Sequence, residues 1–301
     1  MKFVRNCTVL LTLSALACSC GGKGSAVKAS KTIPPAARPV AKEASKEELL
    51  DRYNIFARNL QTVNLTVELK PVAGSKYSGV IEEYHEVKAF VLAARPDEIR
   101  MIGQVPVVGK TVFDMASDGQ TFEVSIPPKN KFLLGPVTLE RASAKPIENL
   151  RPQHLVEALL WPEIQKEEAV LFEEHNDDAA RYYVLTVLRG GYKTETLRKV
   201  WFDRADLNVV RLQSYGPKGA LLSDVRYADW QPIAGAATGT ASITSYPQMI
   251  RIDRPRDDYR VEMSVTKVVL NEPLEAARFR LEPPAGAEIV QLGEATGDQK
   301  P

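Results

Sequence analysis

Thr111-Val112-Phe113-Asp114-Met115-Ala116-Ser117-Asp118-Gly119-Gln120-Thr121-Phe122-Glu123-Val124-Ser125-Ile126 repeats with a period of two. Phe122, Val124 and Ile126 alternate with Thr121, Glu123 and Ser125, while Thr111, Phe113 and Met115 face away from Asp114. Successive side chains of an extended chain point to opposite faces, so each run predicts a half-buried strand. Asp118-Gly119 between them is a hairpin signal, because a two-residue turn needs residues that accept positive φ. A lone hairpin cannot bury its apolar face, so more strands must flank it.

They are present on both sides. The period of two runs from Val63 to about Pro146. After a short helical stretch, Arg151 to Leu160, strands are expected at Ala180 to Leu188, Thr194 to Asp203, Leu207 to Tyr215, Ala220 to Trp230, Gly239 to Ser245, Met249 to Asp253 and Tyr259 to Leu270. Short turns such as Gly190-Gly191 and Asp203 to Asp206 favour sequential antiparallel pairing. Ser45 with Glu48 three residues on is a capping box that opens a helix through about Asn59, with Leu49, Leu50, Tyr53, Ile55, Phe56 and Leu60 mostly on one side. The fold class is therefore mainly β with a few α-helices: one large curved antiparallel sheet, or an incomplete β-barrel, lidded by helices. The helices or a ligand must cover its inner face.

The chain has 301 residues, 44% of them hydrophobic and 26% charged, so it can build a large core without disulfide or metal staples. Its 39 Lys+Arg and 38 Asp+Glu leave a formal charge of +1, which gives no basic footprint for nucleic acid. The one sustained apolar run is N-terminal and too short for a permanent membrane span. Lys2 and Arg5 precede an apolar stretch from Val9 to Ala17, and Cys18 and Cys20 follow.

Leu16-Ala17-Cys18 resembles the end of a bacterial lipoprotein signal, which implies residues 1–17 as signal peptide and Cys18 as the lipidated first residue of the mature protein. Cys20 would leave Ala17-Cys18-Ser19 in front of it, a poorer match. Ser19 after the cysteine resembles proteins sorted to the outer membrane. All three cysteines lie in the first twenty residues, so the folded part holds no internal disulfide. Gly21 to Ala44 is rich in Gly, Ala, Ser, Lys and Pro and lacks aromatics, so residues 18–44 are expected as anchor and disordered linker, spanning about 25–30 Å as a coil. The folded domain is placed at 45–292, with a disordered tail at 293–301.

The order of elements resembles the LolA/LolB superfamily of periplasmic lipoprotein carriers and receptors. Ile99 to Gly103, Val105 to Gly109, Thr111 to Phe113 and Ser117 to Phe122 look like the first half of LolB-like proteins, where a strand, an apolar Pro/Gly loop, a strand and a polar hairpin follow one another. Asn149 to Pro162 looks like the short helix closing the barrel mouth. Asn271 to Leu274, Phe279 to Leu281 and Pro283 to Gly286 resemble the superfamily's closing segment. The resemblance implies a half-barrel that accommodates lipid or lipoprotein acyl chains in lipoprotein sorting or insertion, on the periplasmic face of the outer membrane. It departs from LolB in its length and in Val107 and Val108, where the receptor's loop carries leucine.

Val105, Pro106, Val107 and Val108 form an apolar run between Gly103 and Gly109. Exposed, such a tip marks membrane or acyl contact; tucked under the sheet, it is core. Both readings stand at the level of sequence. Tyr182 to Leu188 is apolar on both faces, as a strand between a helix and a cavity, or between two protein layers, would be.

Little points to catalysis, and no enzyme activity, cofactor or metal is expected. There is no nucleophile elbow, no phosphate-binding glycine loop and no histidine pair at ligand spacing. Ser25 and Lys28 match a Ser/Lys spacing, but inside the linker. His85, His154 and His175 are far apart. Glu173 to Asp178 lacks the glycine and alternate-ligand spacing of a calcium loop and is expected as a charged hairpin tip. Arg254, Arg256 and Arg260 with Asp257 and Asp258 form a mixed-charge turn that could meet a lipid headgroup. The two functional expectations are a lipid-binding lipoprotein and a non-catalytic envelope scaffold or sensor acting through protein contacts.

Overall fold

The computed structural model describes residues 40–75, 80–139, 149–177, 180–191, 194–233 and 243–292. Helix α1 (Lys46–Asn59) leads into β1 (Thr62–Ser75), β2 (Val80–Glu83), β3 (Val87–Ala94), β4 (Glu98–Gln104), β5 (Thr111–Asp118), β6 (Thr121–Ile126) and β7 (Lys131–Pro136). A 3-10 turn, Pro152–Leu155, runs into the single-turn α2 (Val156–Leu159). Then come β8 (Ala169–Asn176), β9 (Arg181–Arg189), β10 (Glu195–Asp203), β11 (Val209–Gly216), β12 (Ala220–Pro232), β13 (Ser245–Arg254), β14 (Tyr259–Leu270) and β15 (Glu288–Gln291). The strands form one sheet in the order β15-β7-β6-β5-β4-β3-β1-β14-β13-β12-β11-β10-β9-β8, with β2 added to β1. β8 and β15 do not meet, so the sheet is open and not a barrel. The mainly β, antiparallel architecture is the one its alternation predicts.

Both helical pieces pack on the inner face. Ser45 Oγ accepts from the Glu48 amide at 3.1 Å, and Leu49, Tyr53 and Ala57, four residues apart, form the buried stripe of α1. Residues 149–164 are not a cap at the rim but a plug inside the curl: Leu155, Val156, Ala158, Leu159, Leu160, Trp161 and Ile164 are all buried. Hydrogen bonds fix the plug. Asn54 donates to Ile164 O and accepts from Ile164 N, each at 2.9 Å, and Arg95 Nη2 donates to Ala57 O and Trp161 O at 2.6 and 2.7 Å. Around it close Leu65, Leu69, Met101, Leu185, Phe202, Leu212, Ile250 and Met263 from strands in both halves of the sheet.

Several expectations change. Glu173 to Asn176 is not a hairpin tip but the end of β8, an edge strand, and the tip begins at Asp177, whose amide donates to Ala180 O. The expected Met249 to Asp253 strand is part of the longer β13, which starts at Ser245; of the expected Gly239 to Ser245 strand, residues 239–242 lie outside those described. Pro247 does not break β13 because β14 pairs only with Met249–Arg254, leaving the proline beside a single neighbour. Gly103 is no loop hinge. It lies inside β4 opposite Phe113, whose ring carbon would stand 2.3 Å from an added Cβ, so glycine makes room for the aromatic. β15 lies parallel to β7, a pairing the sequence did not announce.

Residues 40–44, expected as linker, are among the described residues and contact the sheet. Lys42 N donates to Arg204 O, and Glu43 accepts from Arg204 Nη2 at 2.5 Å and from the Tyr183 hydroxyl at 2.9 Å. The buried Arg204 guanidinium also lies 4.5 Å from the Tyr183 ring centroid. These groups hold the last five residues of the predicted linker on the sheet.

Candidate functional site

Beneath α1, where it crosses β10 to β13, lies a pocket of about 640 Å³. Its apolar lining is Tyr53 and Phe56 from α1, Trp161 from the plug, Phe202 from β10, Val209 from β11 and Trp230 from β12. Phe56 stacks on Trp161 with centroids 4.1 Å apart, and Trp230 meets both rings edge-on at 6.0 Å. Tyr53 also stacks on Trp161, at 5.4 Å.

The polar atoms of these walls are engaged inside the protein. Tyr53 donates its hydroxyl to Pro162 O at 2.8 Å, Trp230 Nε1 donates to Val209 O at 3.1 Å, and Tyr227, behind Trp161, donates to Ala158 O at 2.9 Å. Burial raises the pKa of Tyr53, Tyr227 and Tyr246 well above the usual phenol value, so all three stay protonated donors. Tyr53 and Phe202 are fully buried behind the pocket, so its accessible apolar surface comes from Phe56 and Trp230 with Ile55 and Ile243, and Asn208, Thr244 and Ser245 add polar lining. Charge is confined to the rim, where Glu48, Asp51 and Arg52 stand and Arg52 Nη2 donates to Asn208 Oδ1 at 3.2 Å. Such a site can bury a long apolar group and leave a polar head at the solvent edge.

The Val105–Val108 run is exposed, which removes the core reading. It caps the β4–β5 hairpin, closed by Val105 N to Lys110 O at 2.9 Å and Gly109 N to Val105 O at 3.0 Å. Val108 N donates to Pro106 O at 2.8 Å across Val107, whose φ is +70°. This is a γ-turn in its strained, positive-φ form, held by a β-branched residue. The Val107 side chain is fully exposed and Val108 is 74% exposed. Among the described residues, none covers the Val107 methyl groups.

The other candidates disperse. His85 is exposed in the loop between β2 and β3, and His175 is exposed near the end of β8. His154 is mostly buried and shares a 2.8 Å hydrogen bond with the Tyr259 hydroxyl; burial, then Arg254 and Arg151, push its pKa down to about 3. Arg254 pairs with Asp257 at 2.8 Å and Arg260 with Glu262 at 3.1 Å, while Arg256 is exposed. Among the described residues, no group of three or more His, Cys, Asp or Glu could hold a metal. Cys18, Cys20, Ser25 and Lys28 lie outside the described residues.

Sequence reading missed the pocket. Phe56, Trp161 and Trp230 are separated by 105 and 69 positions, and no local pattern joins them. The available signal was that two of only three tryptophans sit at the ends of elements, Trp161 before Pro162 and Trp230 before Pro232.

No family model matches the sequence, and no curated protein does. Among crystal structures, the chain is similar to a LolA superfamily protein from Nitrosomonas europaea, with 13% identity and a TM-score of 0.47, over 79% of this chain and 99% of that one. It is similar to a DUF1329 family protein from Desulfovibrio piger, with 14% identity and a TM-score of 0.48, over 77% of this chain and 94% of that one. A third likeness is to a protein domain from Vibrio parahaemolyticus described as outer membrane lipoprotein-sorting, with 12% identity and a TM-score of 0.42, over 77% of this chain and 95% of that one.

Proposed function

We propose that this chain is a non-catalytic envelope lipoprotein, anchored through Cys18 at the periplasmic face of the outer membrane, that takes a lipid or lipoprotein acyl chain into the pocket beneath α1. The observation that carries the reading is the aromatic cluster at the pocket: Phe56, Trp161 and Trp230 pack together there, with the Trp230 Nε1 and the Tyr53 hydroxyl bonded inward, and offer an apolar group ring surface beside the polar lining of Asn208, Thr244 and Ser245. The Val105–Val108 tip supplies the membrane contact. Transfer between pocket and bilayer makes this a part of lipoprotein sorting or insertion. Native mass spectrometry of the full chain, followed by lipid extraction, tests it. Bound acyl lipid at fixed stoichiometry, lost in Phe56→Asp, is the expected result; a chain that neither carries nor takes up lipid would overturn it.

Leu171 and Phe172 favour a second reading, the scaffold that acts through protein contacts. Both are exposed on β8, the terminal strand of the sheet, whose outer edge has no neighbour among the described strands.

A further inference from the structure

The two ends of the sheet are built differently. At one, β7 is covered by β15, which is only four residues long. At the other, β8 runs for eight residues and pairs with β9 alone, from Ala169 opposite Leu188 to Asn176 opposite Arg181, with no shift of register. In such a pair every second residue turns its N–H and C=O away from the neighbouring strand, so β8 presents an unbroken row of backbone donors and acceptors. Natural edges are blunted by shortness, by proline, by lysine or by a bulge. Ala169-Val170-Leu171-Phe172-Glu173-Glu174-His175-Asn176 has none of these.

Its side chains are open on both faces. The register sets Val170, Phe172 and Glu174 on the inner side, opposite the buried Val187, Leu185 and Tyr183, and Leu171, Glu173 and His175 on the outer side. Phe172 rests on the Tyr183 ring at 5.1 Å and is still 38% exposed, and Leu171 is 53% exposed. From Glu167 to Asp177 the sequence holds five carboxylates and no lysine or arginine. The sheet neutralises two of them: Arg198 holds Glu168 at 3.0 Å, and Arg204 holds Glu174 at 2.8 Å. Glu167 and Glu173 make no ion pair with the described residues, and Glu173 accepts only from Thr186 Oγ1 at 3.2 Å.

These features choose among occupants. A bilayer would leave the edge N–H and C=O groups without partners and would set Glu167 and Glu173 against its headgroup phosphates. A second copy, paired edge to edge about a two-fold axis over all of β8, would place Leu171 opposite Glu174 and Phe172 opposite Glu173, each apolar side chain against a carboxylate with no new cation beside it. A foreign strand can match both the backbone row and the side chains. We propose that β8 takes an added strand from a partner protein: an extended segment with apolar residues beside Leu171 and Phe172 and a basic residue opposite Glu173. Backbone bonds supply the attachment, and the side-chain pairs set the register. The inference rests on the protein-contact reading of Leu171 and Phe172 and names the partner; it needs nothing from the pocket beneath α1.

The test uses a blocked, fluorescein-labelled peptide, Ser-Thr-Thr-Lys-Val-Ile-Val-Ser, which sets its lysine opposite Glu173 when it runs antiparallel along β8, and a twin with glutamate in place of the lysine. Fluorescence polarisation with the full chain should show saturable binding of the lysine peptide, with a Kd of about 0.5 mM or tighter, and hydrogen exchange should slow at residues 169–176. Glu173→Lys should reverse the preference between the two peptides by a few-fold, and Leu171→Thr should weaken both. Both residues are exposed, so each variant should keep the circular dichroism spectrum of the parent chain. Equal binding of the lysine peptide by the parent chain and Glu173→Lys would overturn the proposal. A dimer in sedimentation that Leu171→Thr abolishes would also overturn it, with the protein-contact reading kept and a second copy as the occupant. Neither peptide binding nor such a dimer would overturn both.

Discussion

Val107 joins conformational strain to an unused apolar surface. Positive φ at a non-glycine residue costs about 1–3 kcal/mol, and a valine's β-branch is the least suited to it. Glycine would remove that strain, while its own backbone entropy costs about 0.5–1 kcal/mol. Val107→Gly should therefore leave stability unchanged or raise it by about 1 kcal/mol, read as the urea midpoint. The same change deletes the exposed side chain, and burying a valine in a bilayer is worth about 1.5–3 kcal/mol, so vesicle flotation should weaken about tenfold. A variant that loses stability and keeps flotation would mean that the turn serves the fold. At His154 the prediction is one of pH. Its folded pKa of about 3 lies below the unfolded value near 6.5, so the unfolded chain binds more protons between these values. The contribution of the neutral ring is complete above about pH 6.5 and shrinks as pH falls toward 3. Stability should drop by a few kcal/mol between pH 7 and pH 4, and His154→Gln should flatten that slope. A slope unchanged by the substitution would assign it to the carboxylates. The apolar tip could be read from Val-Pro-Val-Val between glycines, but neither the γ-turn nor the neutrality of His154 has a sequence signature, because both depend on contacts across the fold.

Elements were legible where burial is one-sided. β14 buries Tyr259, Val261, Met263 and Val265 and not the residues between them, the Asp118-Gly119 signal falls on the β5–β6 turn with Gly119 at φ +84°, and Ser45 caps α1 as its spacing with Glu48 requires. β8 was not, because from Leu171 to Asn176 every side chain is exposed and no period of two survives. The plug was legible as a helix and not as a core element, since residues buried on all sides carry no stripe that says what they face. The cap has a consequence for the candidate site. Ser45→Ala removes the acceptor for the Glu48 amide and should cost about 1 kcal/mol. α1 lines the pocket through Tyr53 and Phe56, so looser pinning of its first turn should also speed release of a fluorescent fatty acid if one binds there as proposed. An off-rate equal to wild type, with the stability loss present, would show that the wall moves as one piece. Phe56→Ala is the stronger perturbation, because it strips the ring that stacks on Trp161 at 4.1 Å. It should cost about 3 kcal/mol or somewhat less for a partly buried ring, and weaken the same ligand.

Over the whole molecule, the decisive ladder is the one between β1 and β14, which pairs Val63 with Leu270 and Ala73 with Tyr259. It joins the half of the sheet that ends in β15 to the half that ends in β8, and its partners lie about two hundred residues apart in the chain. No local signal could have announced it, since alternation says that a strand exists and not which distant strand it meets. The plug reinforces the joint: Trp161 O accepts from Arg95 at the end of β3, while Pro162 O accepts from Tyr53 on α1 and from Arg198 on β10. Neither half can open without exposing Trp161 and breaking the long ladder, so the two halves should unfold together. Denaturation followed by tryptophan fluorescence and by far-ultraviolet circular dichroism should give coincident curves. Separate transitions would mean that each half is stable without the other and that the plug belongs to one of them. The same experiment reads the candidate pocket, because Trp161 and Trp230 report from its wall and its residues come from α1, the plug and β10 to β13. A ligand held only by this joint assembly stabilises the whole folded state, by about 2.7 kcal/mol at a hundred times its Kd. Adding a long-chain fatty acid should therefore move both curves to higher denaturant by the same amount; movement of the fluorescence curve alone would restrict the ligand to local ordering around Phe56, Trp161 and Trp230.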